Sequence, residues 1–96
     1  MLTSKQRAYL RSIAANLDTI IQVGKNGMND NVVQTIDAAL TAKELIKARV
    51  FEASPLTSRE AAKILAERTA ADIVQVIGTR FVLYRPAKEP IIVLPK

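Results

Sequence analysis

The four residues Gly24-Lys25-Asn26-Gly27 are the group in this sequence with the clearest chemical potential. Glycine has no side chain to keep a ligand away from the backbone, and here two glycines enclose a cation and an amide. The group follows the apolar run 20–23 and precedes Asn29 and Asp30, either of which can cap a helix. Free backbone N–H groups at a helix start favour anions. The sequence therefore predicts a loop between a strand and a helix that contacts a phosphate group, with Lys25 supplying the charge.

A simpler explanation of the same residues is a tight turn. Asn-Gly is a strong signal for a short β-hairpin, and a GxxG match is short enough to arise by chance. A hairpin needs an alternating strand after its turn, whereas Met28-Asn29-Asp30-Asn31 is typical of a capped helix start. KH-type domains use a GxxG loop in that setting to clamp an RNA backbone. The following helix therefore favours phosphate contact over a purely structural turn.

Three pairs of basic residues could hold a polyanion beside the loop. They are Arg7 with Arg11 on the first predicted helix, Lys47 with Arg49 on a predicted strand, and Arg80 with Arg85 around the last predicted strand. These pairs also have explanations other than polyanion binding. Cations on a helix often only keep a surface soluble, and outward cations on an edge strand can block aggregation. Tyr84 could stack on an unpaired base, although an aromatic residue in such a strand more often packs in the core.

Catalysis has little support in the sequence. The chain contains no histidine and no cysteine, which removes the commonest general base and the usual zinc ligands. Ser58 therefore has no histidine partner, and Asp18, Glu67 and Asp72 are not spaced like a paired acid and base. An enzyme built on the glycine loop would lack the Lys-Ser/Thr signature of a P-loop. We expect a protein that is not an enzyme and holds no metal or cofactor.

Composition and charge indicate the class of protein and its partner. The chain has 96 residues, 49% of them hydrophobic, which is enough for one core but not for two. Fourteen Lys and Arg against nine Asp and Glu give a net charge of +5, which favours a nucleic-acid partner. No apolar run approaches the roughly 20 residues of a membrane helix, and the N-terminus lacks a signal-peptide core. We expect a single cytoplasmic domain over residues 1–96 that does not bind membranes.

The elements that must position these residues follow from hydrophobic periodicity. Helices are predicted at 4–16, from Asn29 or Asp30 past Leu40, and from a Thr57 cap to about Thr69; strands are predicted at 20–23, 45–51, 73–77 and 81–84. Gly78 permits the positive φ of a turn that pairs the last two strands as an antiparallel hairpin. The apolar residues 91–94 should dock on the core. The order α-β-α-β-α-β-β predicts a two-layer α/β (α+β) domain with a parallel βαβ unit.

Nearly the whole chain resembles bacterial members of the YhbY family, whose unit is the chloroplast RNA splicing and ribosome maturation (CRM) domain. The resemblance rests on a series of motifs in order, which is far more specific than the loop alone. The motifs are Leu2-Thr3, Lys5-Gln6 and Leu10; Val23-Gly24-Lys25-Asn26-Gly27; Ile36-Asp37-Ala38-Ala39-Leu40; Glu44-Leu45-Ile46-Lys47; Val74-Gln75-Val76-Ile77-Gly78; and Val82-Leu83-Tyr84-Arg85-Pro86. Ala70 stands where the family usually has glycine, which puts a glycine helix cap in doubt.

The resemblance implies a fold and a function. The fold is a mixed four-stranded sheet of order 1-2-4-3 with only the fourth strand antiparallel, like that of the C-terminal domain of bacterial translation initiation factor three. The implied partner is RNA, specifically ribosomal RNA of large-subunit precursors, and the implied role is to assist ribosome assembly, which we expect of a monomer. Carried onto this sequence, the family's loop falls on Gly24, Lys25, Asn26 and Gly27. The alternative is a protein–protein module on the pre-ribosome that uses exposed apolar residues near 91–94.

Overall fold

The computed structural model describes residues 2–19, 21–25 and 27–95 and confirms the predicted order of elements. The helices are α1 (Ser4–Ala14), α2 (Asp30–Lys43) and α3 (Ser58–Thr69), and the strands are β1 (Ile21–Val23), β2 (Leu45–Val50), β3 (Asp72–Ile77) and β4 (Arg80–Tyr84). Two predicted ends move inward, because α1 stops at Ala14 and β2 stops at Val50. Ile20, which we predicted to begin β1, lies outside the described residues.

The four strands form one mixed sheet of order β1-β2-β4-β3, as the family resemblance implied. β1 runs parallel to β2, while β4 runs antiparallel to both β2 and β3. The Gly78 turn, with φ +57°, joins β3 and β4 as the predicted hairpin. β2 is therefore a central strand, so the explanation of Lys47 and Arg49 as guards of an exposed edge is wrong.

Local capping sets where the helices begin. Thr3 with Gln6 and Thr57 with Glu60 form the two predicted capping boxes, in which each side chain binds the other residue's backbone N–H. Asn29 caps α2 by accepting a hydrogen bond from the Val32 N–H. α3 ends at Thr69 as predicted, with Ala70 in the left-handed conformation at φ +56° where the family usually has glycine.

The main core lies between the sheet and the helices α2 and α3. Ile36 and Leu40 of α2 and Leu65 of α3 are fully buried there against strand residues of one sheet face, including Ile46 and Phe81. These two helices and the sheet form the two predicted layers. No helix among the described residues is long and apolar enough to cross a membrane.

α1 packs on the opposite face of the sheet and covers only one end of it. Leu10 and Ala14 are buried there against Leu45, Val82 and Tyr84, near the start of β2 and the end of β4. Ile92 and Leu94 of the C-terminal segment join this second cluster, which confirms in part that the segment docks on the core. At the other end of the same face, where β2 ends and β4 begins, Arg49, Ile77 and Arg80 are exposed.

Candidate nucleic-acid interface

The glycine loop is a closed turn at the carboxyl end of β1. The Gly27 N–H donates to the Gly24 carbonyl at 2.9 Å, and Lys25 is exposed between them. Asn26, the fourth member of the predicted loop site, lies outside the described residues. The loop is fixed to the sheet because the Phe51 N–H donates to the Val23 carbonyl at 2.9 Å. Lys25 is thus presented to solvent from a rigid base.

The two glycines of the loop have different structural requirements. Gly27 has φ +61°, and a Cβ built on it would lie 3.0 Å from Cγ of Pro55, so the fold itself requires glycine there. Gly24 does not have a positive φ, and a Cβ built on it would meet nothing within 4 Å. The fold would therefore tolerate a side chain at Gly24.

The start of α2 contributes less to anion binding than the sequence predicts. Asn29 already occupies the Val32 N–H, and Asp30 places a carboxylate in the first turn. That carboxylate pairs with Arg68 of α3 at 3.3 Å, with both side chains largely exposed. A negative charge beside the helix start offsets the attraction of its dipole. An anion at this loop would therefore be held by Lys25 and the loop backbone more than by α2.

Arg49 and Arg80 face each other across β2 and β4. They are direct partners in the antiparallel ladder, so their side chains lie on the same open face of the sheet, and both are exposed. Like charges in this position repel, which makes the pair unfavourable for folding alone. Lys47, one step further along the same face, is half-buried opposite Val82. A bound polyanion would remove the repulsion.

The glycine loop and this arginine pair lie at the same end of the sheet. Val23, the last residue of β1, is in register with Val50, the last residue of β2. The Val50 N–H in turn donates to Thr79 in the turn before Arg80. We call this end, with Lys25, Arg49 and Arg80, the basic end.

Arg7 and Arg11, four residues apart, lie on one flank of α1. The opposite flank carries Gln6 and Ile13. The Gln6 side-chain amide donates to the Pro95 carbonyl in the C-terminal segment at 3.1 Å. Arg11 is exposed, whereas Arg7 is half-buried and its Nε has no hydrogen-bond partner among the described residues. The predicted pair thus lies on α1, the helix that covers the other end of this sheet face.

Two residues at the basic end were missed by sequence reasoning. Arg59, in the first turn of α3, is exposed and follows Ser58, whose hydroxyl donates to the Gly78 carbonyl at 2.7 Å. Phe51, just after β2, is 37% exposed, and the Arg49 guanidinium carbon lies 5.4 Å from its ring centre. The Thr57 capping box could have located Arg59, because a helix that follows β2 after a short loop must start at this end.

Arg85 does not join the basic end. It lies beyond the other end of β4, where its guanidinium pairs with the Asp37 carboxylate and donates to the Thr69 carbonyl and the Thr41 hydroxyl, the last two at 2.8 Å. These bonds join the last turns of α2 and α3. The structure thus gives Arg85 a role in packing, and we leave it out of the proposed interface.

Tyr84 is in the core, which the sequence favoured over base stacking. It is only 2% exposed, and burial, followed by the nearby charges of Glu44 and Asp72, raises the pKa of its hydroxyl. A buried ring cannot stack on a base, so Tyr84 is excluded from the interface. Phe51 is an exposed aromatic residue at the basic end.

Glu44 is a buried acidic residue whose structural role was not predicted from the sequence. It ends α2 with φ +67°, is fully buried, and accepts hydrogen bonds from the backbone N–H groups of Ala87, Ile91 and Ile92 at 2.7–2.8 Å. Burial acts to raise the pKa of this carboxyl, but the three N–H groups outweigh it and hold the pKa below its ordinary value. We call this end, with Glu44, Arg85 and residues 86–95, the latched end.

The ion pairs among the described residues do not involve the cations of the basic end. In the part of the chain that the structure describes, the ion pairs are Arg68 with Asp30 and Arg85 with Asp37, both between α2, α3 and the residue after β4. None of the cations at the basic end has a carboxylate partner among those residues. Nor do the described residues contain a group of histidine, cysteine, aspartate and glutamate that could hold a metal ion.

Comparison with known proteins agrees with this architecture. The family model of the CRS1 / YhbY (CRM) domain matches residues 2–85. The chain is 44% identical to "Probable RNA-binding protein YqeI" of Bacillus subtilis over 89 residues, covering 93% of each chain, and 37% identical to "RNA-binding protein" of Haemophilus influenzae over 95 residues, covering 99% of this chain and 96% of the relative. The solution structure of the hypothetical protein SAV1595 from Staphylococcus aureus superposes with a TM-score of 0.80 at 45% identity, over 99% of this chain and 100% of the other. The chain therefore belongs to the CRS1 / YhbY (CRM) domain family.

Proposed function

We propose that this protein binds structured RNA of large-subunit ribosomal precursors and assists ribosome assembly without doing chemistry. The observation that carries the proposal is the basic end, where a glycine loop with an open Gly24 lies beside two opposed arginines that lack carboxylate partners among the described residues. The names of its relatives, which are RNA-binding proteins, support RNA as the partner.

The mechanism is recognition of shape through phosphate groups. The RNA backbone approaches the loop at Gly24, Lys25 neutralises a phosphate, and Arg49 and Arg80 bind further phosphates along the open sheet. Arg7 and Arg11 on α1 fix the orientation of the RNA. Contacts of this kind position a ligand but read no sequence.

A salt series on RNA binding tests the proposal. With four or five phosphate contacts at about 0.7 log units each, the affinity for a large-subunit ribosomal RNA transcript should fall with a log–log salt slope near −3. Lys25→Ala should weaken binding and reduce the slope by about 0.7. Lys88→Ala is the matched control, since Lys88 is also an exposed lysine but lies at the latched end. Equal affinities and slopes for the two variants would contradict a role for the loop, and equal binding of large- and small-subunit transcripts would contradict the proposed RNA class.

A protein–protein module is the second candidate, favoured by Ile91 and Val93, which are 70% and 80% exposed. If this candidate were correct, co-purification of the protein with pre-ribosomal particles would survive ribonuclease treatment and would be lost in the double variant Ile91→Ser with Val93→Ser. The RNA proposal predicts the opposite pattern, with association lost on ribonuclease treatment and kept in the double variant.

A further inference from the structure

The basic end contains a cleft with an aromatic wall. This cleft has a volume of about 540 Å³. It opens between the end of β2, the following loop and the β3–β4 turn, and its lining includes Arg49, Phe51, Glu52, Ser54, Pro55 and Thr79. The cleft is large enough for a planar ring system and lies on the surface that we assign to RNA.

Phe51 is the feature of this cleft that folding alone does not explain. Large apolar side chains are usually buried, yet Phe51 is 37% exposed directly after a strand whose neighbouring Val50 is 5% exposed. The Arg49 guanidinium lies over its ring at 5.4 Å, which sets a cation and an aromatic ring side by side. Aromatic rings and arginine planes are the two kinds of surface on which unpaired bases stack.

The other polar groups of the cleft suit a base better than a phosphate. Glu52 is exposed at its wall and would repel a phosphate, but a carboxylate accepts hydrogen bonds from the amino groups of bases. The hydroxyls of Ser54 and Thr79 also line the cleft and can pair with either donors or acceptors. The charges therefore place phosphates outside the cleft and a base edge inside it.

The cleft and the glycine loop share a wall. Pro55 lines the cleft, and its Cγ lies 3.0 Å from the Cβ position of Gly27. The Phe51 N–H, at the cleft, is bonded to Val23, the last residue before the loop. A nucleotide whose phosphate contacts the loop could thus place its own base, or the base of its neighbour, in the cleft.

We propose that this cleft is a binding site for one unpaired nucleotide, whose base stacks on the Phe51–Arg49 pair while the adjoining phosphate contacts the glycine loop. This inference rests on the proposed RNA binding. It narrows the class of RNA, because such a cleft favours RNA with a bulged or looped-out nucleotide over a continuous duplex.

The experiment compares two RNA hairpins that differ only in a single bulged nucleotide. Fluorescence anisotropy should show that the wild-type protein binds the bulged hairpin about tenfold or more tightly than the continuous one, since stacking of one base supplies this much. Phe51→Leu should abolish this preference, because it removes the ring on which the base stacks. Ile77→Ala is the control, because Ile77 is 61% exposed on the same sheet face but does not line the cleft.

A second measurement uses the unaltered protein. With 5-iodouridine as the bulged nucleotide, irradiation should cross-link the RNA to a peptide containing Phe51. Equal binding of both hairpins by the wild type, a preference retained in Phe51→Leu, or a cross-link outside residues 49–57 would each overturn the site. Those results leave the RNA proposal intact, whereas failure of the wild type to bind either hairpin or a ribosomal RNA transcript would overturn both.

Discussion

Arg80 and Arg85 lie at the two ends of the same strand and have opposite surroundings. Arg85 is enclosed by the Asp37 carboxylate, the Thr69 carbonyl and the Thr41 hydroxyl, whereas Arg80 is exposed and directly opposite another arginine. At the latched end the charged groups stabilise the fold. At the basic end Arg49 and Arg80 oppose one another, and the RNA binding that we propose would supply the missing negative charge. The surroundings of a charge, rather than its sign, separate packing from binding.

The largest effect should come from breaking the latched end at Glu44. In Glu44→Gln an amide group replaces the oxygen that accepts the Ala87 N–H at 2.7 Å, so that bond is lost inside a buried site. Loss of a hydrogen bond to a charged group costs about 1.5–3 kcal/mol, which urea denaturation would measure. Glu89→Gln, an exposed change in the same segment, should leave stability unchanged. RNA affinity should be unaltered in both, and a joint loss of affinity would mean that the two ends are not independent.

Acid should release the same latch. Because the Glu44 pKa in the folded protein is below its ordinary value of 4.5, its contribution to stability is complete above that pH. As the pH falls below 4.5 the unfolded state takes up the proton first, so stability is lost progressively through the folded pKa. The difference in unfolding free energy between wild type and Glu44→Gln should therefore shrink between pH 6 and pH 3. A constant difference over that range would contradict the account of Glu44.

Replacing the two loop glycines with alanine should affect different properties, stability at Gly27 and RNA affinity at Gly24. Gly27→Ala should lower stability by about 1–2 kcal/mol, because a side chain there is strained at φ +61° and crowds Pro55. Gly24→Ala should keep wild-type stability but weaken RNA binding, since the added methyl group stands where the RNA backbone approaches. Thermal denaturation and RNA anisotropy on the same samples distinguish the two. Wild-type affinity in Gly24→Ala would remove the argument for a close approach at this glycine.

The smallest expected effect is a gain in stability at the basic end. Arg80→Gln removes the repulsion from Arg49 and should stabilise the protein by about 0.2–1 kcal/mol at low salt. The gain should fade as salt increases, because screening weakens the repulsion between exposed charges. Urea denaturation at two salt concentrations would detect it. A loss of stability in this variant would show that Arg80 has a partner in the fold.

Most of the fold could be predicted from the sequence because its signals are local. The capping boxes at Thr3 and Thr57 and the positive φ at Gly78 fix helix starts and a turn within a few residues. The strand order came from the family resemblance, because periodicity does not say which strand lies next to which. The packing of α1 on the second sheet face also depends on contacts far apart in the chain.

The candidate site was less predictable, because it depends on contacts between residues that are far apart in the sequence. Lys25 could be selected because its glycine neighbours are adjacent in sequence, but Arg85 and Arg80 look alike until the fold brings Asp37 to one of them. Phe51 was missed, because its exposure depends on α1 and the C-terminal segment covering only the other end of the sheet. Glu44 showed no local signal, since its partners lie more than forty residues away.

The most direct test of the basic end as the RNA interface compares the variants Arg80→Gln and Arg85→Gln. Each variant removes one positive charge, at the start of β4 in one case and just after its end in the other. Affinity for a large-subunit ribosomal RNA transcript would be measured across a salt series after both variants are shown to be folded. We predict that Arg80→Gln weakens binding and reduces the salt slope by about 0.7, whereas Arg85→Gln lowers stability and leaves affinity and slope near wild type. Equal losses of affinity in the two variants would contradict the account, because net charge rather than the basic end would then govern binding.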